Sequence, residues 1–109
     1  MTTAVVEVSG ADAARWAAEL HAALAANAEP GEQVGPVEVQ RSAELVVAVI
    51  GLVLAGVETA KTVWDWWHTH RSQGVTVTIL LGDGTRLELS DVDRQQLEIV
   101  VQQHRSPQS

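Results

Sequence analysis

Thirteen consecutive residues, Leu45 to Val57, carry no polar or charged side chain. This run constrains the fold more than any other feature of the chain, because so much contiguous apolar surface has to be removed from water. Nothing from Ala43 to His70 breaks a helix firmly. Ser42 stands ahead as an N-cap residue and Glu44 adds negative charge to the first turn. The segment 42–70 therefore reads as one helix of about 28 residues, about 42 Å long. Its first half is apolar all round. Its second half is amphipathic, with Glu58 and Lys61, then Lys61 and Asp65, spaced to pair along one face.

Three readings of such a helix are open. As a membrane-associated or pore-contributing element, the run 45–57 covers about 20 Å of a hydrocarbon core of about 30 Å. Glu58, Lys61 and Asp65 then follow within two turns, where lipid disfavours them. As a core element, an all-round apolar helix is normally buried. As an interface element, it packs against another chain, since a 109-residue domain has little material to surround it. Gly51, Ala55 and Thr59 recur at intervals of four with Ala48 beside them, and small residues at that spacing let two helix backbones approach closely. Trp64 and Trp67 share a helical face, whereas Trp66 points elsewhere and is a candidate interface anchor. The candidate interaction residues are Ala48, Gly51, Ala55, Thr59 and Trp66.

The remaining segments read as short elements. Thr3 to Ser9 is β-branched and ends at Gly10, a first strand. Asp12 is placed to cap a helix running to about Ala26, with Trp16, Leu20 and Leu24 as its apolar stripe. Asn27 to Pro36 is rich in Pro and Gly and reads as a loop. Val37 to Gln40 alternates as a second strand. Ser72-Gln73-Gly74 stops the long helix. Val75 to Leu81 alternates with Val75, Val77, Ile79 and Leu81 on one face, Gly82-Asp83-Gly84 turns the chain, and Arg86 to Leu89 returns. Ser90 and Asp93 have capping-box spacing ahead of a last helix to about Arg105, whose buried stripe is Leu97, Val100, Val101 and His104. The predicted fold is a single α+β domain over 1–105 with a frayed tail at 106–109. Its order is β-α-β-α-β-β-α, with a small four-stranded sheet packed on a long central helix and two shorter helices.

Composition excludes several functions. The core is built of Val, Leu, Ala and four Trp, because Phe and Tyr are absent. Without Cys there are no disulfides and no thiolate metal ligands. A net charge of −7, with the few Lys and Arg scattered, argues against nucleic acid and anionic membrane surfaces. The first ten residues lack the features of a secretory signal, so a cytoplasmic location is expected.

Four features could carry chemistry. His68 and His70 form H-x-H on a helix, and residues two apart face apart, whereas helical zinc pairs use spacings of three or four. The serines sit at element boundaries or in the tail, and no G-x-S-x-G is present. Asp91 and Asp93 precede a helix, where acidic residues are favoured in any case. Gly82-Asp83-Gly84 is too short for a phosphate loop and has no Lys. The expectation is a non-enzyme with no catalytic residue, metal or cofactor.

From Ala43 to Val101 the order of features resembles the effector-associated constant component family, small proteins encoded with actinobacterial conflict (immune-type) systems. The resemblance lies in the apolar, small-residue-rich stretch Glu44–Gly56, the Trp-containing segment Val63–Trp67, the strand-turn-strand VTVTILLGDGTRLEL from Val75 to Leu89, and the acidic-capped last helix. It implies an adaptor that couples variable effectors, often peptidases or other toxic enzymes, to sensing modules. It carries over no catalytic residues. Binding to an effector protein, self-association, or both are the partner expectations.

Overall fold

A computed structural model describes residues 2–10, 12–27, 33–41, 46–54, 58–82 and 84–105. Strand β1 (Thr2–Ser9) is followed by helix α1 (Ala13–Ala26), strands β2 (Gln33–Arg41) and β3 (Val46–Leu54), helix α2 (Glu58–His70), strands β4 (Thr76–Leu81) and β5 (Arg86–Glu88), and helix α3 (Arg94–Arg105). The fold is α+β. Its five strands form one sheet in the order β2-β3-β1-β4-β5, with antiparallel pairing throughout.

The expected helix 42–70 is not formed. Val46–Leu54 is a strand, paired with β1 on one side and β2 on the other, and the helix begins only at Glu58. Five of the nine residues of β3 are Val or Ile. Their branched side chains lose rotamer freedom in a helix and fit a pleated surface well. The sheet accordingly has five strands, and the helix that remains has 13 residues. Among the described residues no helix is long and apolar enough to cross a membrane, so the membrane reading of 45–57 loses its helix. Ser42, Glu44 and Leu45 lie outside the described residues, as do Ala55, Asp83 and the tail 106–109.

One face of the sheet holds the core. Ala4, Val6 and Val8 of β1 pair with Leu52, Ile50 and Ala48 of β3 and with Leu81, Ile79 and Val77 of β4, and all nine are buried. Leu87 extends this layer onto β5. The helices cover it. Helix α1 contributes Trp16, Leu20 and Leu24 at intervals of four, α2 contributes Ala60, Val63 and Trp67, and α3 contributes Leu97 and Val101. Val100 is only partly buried, and the side chain of His104 lies outside the described set.

Strand β2 begins at Gln33, inside the stretch expected to be a loop. Pairing shifts between Val34↔Leu52 and Val37↔Ile50, so Gly35 and Pro36 together oppose Gly51. This β-bulge on an edge strand tolerates a proline, which has no N–H to donate. It also restores the alternation, so that Val34 and Val37 both turn toward the core.

Two helix ends differ from expectation. Asp12 makes no side-chain cap bond at α1. At α3 the capping box is Asp93 with Gln96, not Ser90 with Asp93: the Gln96 N–H donates to Asp93 Oδ1 at 2.7 Å and the Asp93 N–H donates to Gln96 Oε1 at 3.0 Å. Residues Leu89–Asp91 form a 3-10 turn before that box. At the sheet's end Gly10 has φ 132°, and a Cβ there would lie 2.9 Å from the Gly74 carbonyl oxygen, so the close approach of these segments requires glycine.

Candidate functional site

The side of the sheet away from the helices carries a second apolar surface. Val47, Val49 and Val53 of β3 point there together with Val5 of β1 and Leu80 of β4. Val5 is 37% exposed, Gly51 is exposed, and the other four are half-buried. Neighbouring strands supply both levels of the surface. Val5 lies opposite Gly51 on one side and Leu80 on the other. Because Gly51 has no side chain and nothing lies within 4 Å of where a Cβ would be, the surface dips there. A shallow depression of about 370 Å³ is lined by Thr3, Val5, Gly35, Gly51 and Val53 among others.

Beside this apolar row runs an acidic one. Register aligns Glu38, Val49, Glu7, Thr78 and Glu88 across all five strands. Glu7 accepts a hydrogen bond from Arg86 at 3.2 Å. Glu38 and Glu88 are exposed and have no ion pair among the described residues. Thr78, between Glu7 and Glu88, is the buried exception on this face.

A second cluster lies on the helical layer. Trp66 stacks on His70 at 4.4 Å between centroids, and Trp16 meets both, Trp66 at 6.2 Å and His70 at 5.3 Å. The Arg15 guanidinium sits 4.8 Å from the centre of the Trp16 ring. His70 Nδ1 is 2.8 Å from the Trp66 carbonyl oxygen, which only accepts, so this nitrogen carries the proton. His68 stacks on Trp64 instead, at 4.8 Å. The two histidines thus face apart: His70 joins the last turn of α2 to α1 through Trp16, whereas His68 touches only Trp64 and Trp67 of its own helix. Among the described residues no group of three or more His, Asp or Glu side chains is placed to hold a metal ion.

The five residues predicted as interaction sites do not form one ridge. Ala48 and Gly51 lie on β3, with Ala48 buried under the helices and Gly51 on the open face. Thr59 is buried in the first turn of α2. Trp66 is half-buried in the stack with Trp16 and His70, and Ala55 lies outside the described residues. A spacing of four collects residues on a helix, whereas on a strand Ala48 and Gly51, three apart, fall on opposite faces. Among the described residues of this set, Gly51 lies on the open face of the sheet and Trp66 is partly exposed on the helical layer, whereas Ala48 and Thr59 are buried. Val5, Val47, Val49, Val53 and Leu80 were missed. For Val47, Val49 and Val53 the signal was a strand-length, β-branched run with no polar position, the pattern of a strand buried on both faces.

No protein-family model, curated protein or solved structure matches the chain.

Proposed function

We propose that the chain is a non-catalytic adaptor, and that its docking surface is the open face of the sheet rather than a long helix. One observation carries this reading. Strand β3 is apolar at every position, yet the helices cover only one of its faces. An antiparallel strand with one face in water normally alternates apolar and polar residues. Val47, Val49 and Val53 break that alternation at the centre of the surface, where a partner would bury them. The resemblance to effector-associated constant components supports an effector protein of a bacterial conflict system, such as a peptidase, as the partner.

The test is association with proteins encoded beside this one, measured by sedimentation velocity. The wild-type chain is expected to form a complex of defined mass. The double variant Val5→Asp, Val49→Asp is expected to remain folded by circular dichroism and to lose that complex. A complex that survives in the folded variant would reject the open face as the docking surface.

A further inference from the structure

We infer that the open face takes a basic amphipathic helix, with Lys or Arg recurring about every seventh residue beside an apolar stripe; this rests on the docking reading above. The charge pattern supports a cationic partner. Glu38, Glu7 and Glu88 occupy alternate strands along one row, and among the described residues of this face Arg86 is the cation, paired with Glu7. Strands lie about 4.8 Å apart, which separates successive carboxylates by about 10 Å. Seven residues of α-helix rise about 10.5 Å. A helix laid along the row therefore meets each carboxylate with residues at i, i+7 and i+14. Such a helix would rest its apolar stripe on the adjacent row, about 7 Å further along the strands, where Gly51, Val5 and Leu80 stand side by side. The dip over Gly51 leaves room for one large side chain.

The same charges disfavour a second copy. Two open faces brought together would set three carboxylates and one guanidinium against the same set, on chains of net charge −7. Like charges juxtaposed in an interface oppose association.

The experiment uses the whole chain and three synthetic peptides of about 18 residues. They share a Leu stripe and differ only in carrying Lys, Gln or Glu on the flanks. Binding is followed by calorimetry and by amide shifts of the labelled protein. The Leu/Lys peptide is expected to bind at least about tenfold tighter than the Leu/Gln peptide, with shifts at Val5, Val49, Gly51 and Leu80. The Leu/Glu peptide is expected not to bind. The advantage of Lys over Gln should shrink with added salt. It should vanish in the triple variant Glu7→Gln, Glu38→Gln, Glu88→Gln, which leaves the apolar row intact. Equal binding of the Lys and Gln peptides at these residues overturns the charge inference and leaves the docking reading standing. Shifts confined to the helical layer around Trp66, or none, overturn both. A chain that doubles its mass with concentration, with those shifts arising in the absence of peptide, assigns the face to a second copy and overturns the inference.

Discussion

Val49 and Ile50 are neighbours in sequence and belong to different surfaces. Ile50 lies between Val6 and Val37 under the helices and is fully buried. Val49 lies between Glu7 and Glu38 on the open face and is half-buried. The same side-chain chemistry thus serves packing on one side of β3 and remains available on the other. An apolar residue in a strand is not evidence of burial until its face is known.

The largest contrast should come from truncation on the covered side. Leu20 is fully buried in the centre of α1. Leu20→Ala is expected to cost about 2–5 kcal/mol in urea unfolding, whereas truncating Val5 to Ala should cost well under half of that. Comparable losses would mean that the two faces are equally dry.

A middle-sized effect probes the covering layer without touching the sheet. Asp93→Ala removes the reciprocal cap at the start of α3 and should lower stability by about 1 kcal/mol. Amide exchange should accelerate in α3 and leave β1 and β3 unchanged.

Gly51 lies on the open side. Its φ is not in the left-handed region and an added Cβ meets nothing. Gly51→Ala should therefore raise stability by about 0.4–1 kcal/mol by restricting the unfolded chain. It should also weaken docking, because the methyl group fills the dip. A variant both more stable and better at binding would contradict the role given to that depression.

The smallest effect lies on the outer side of the helical layer. A hydrogen bond to Glu58 and the charges of Glu58 and Glu98 raise the Lys61 pKa above its ordinary 10.5. A pKa raised on folding contributes stability that is complete below the unfolded value and disappears as pH rises through the folded one. The small difference in melting temperature between wild type and Lys61→Met should hold up to about pH 10 and shrink above it. A difference that grows at high pH would contradict this pairing.

Much of the fold was legible because period and turn chemistry agreed. The stripe Trp16, Leu20, Leu24 lay on α1 as expected, and Val75, Val77, Ile79 and Leu81 are all buried on one side. The hairpin closes through bonds between Leu81, Gly84 and Thr85. The run 45–57 was not legible by period. When every position is apolar, periods of 2 and 3.6 fit equally well, and length favoured the helix. The clue that outweighs length is the density of Val and Ile in 46–54, set against the amphipathic, charge-paired pattern from Glu58 onward. Read as helix, the run puts Gly51 on a helical ridge and leaves the valines beside it open between core, interface and membrane. The bulge at Gly35 and Pro36 was hidden too, because those residues are also the signature of a loop.

Strand β3 presents one face to the core and the other to solvent. Thermal unfolding of Val49→Lys and Ile50→Lys, followed side by side by circular dichroism, separates the two faces. Val49→Lys is expected to stay within about 1 kcal/mol of wild type, because Glu7 and Glu38 flank the new ammonium on the adjacent strands. Ile50→Lys should lose several kcal/mol or fail to fold, since it buries an unpaired charge. Equal and severe losses at both positions would contradict the open face, and equal tolerance would contradict the covered one.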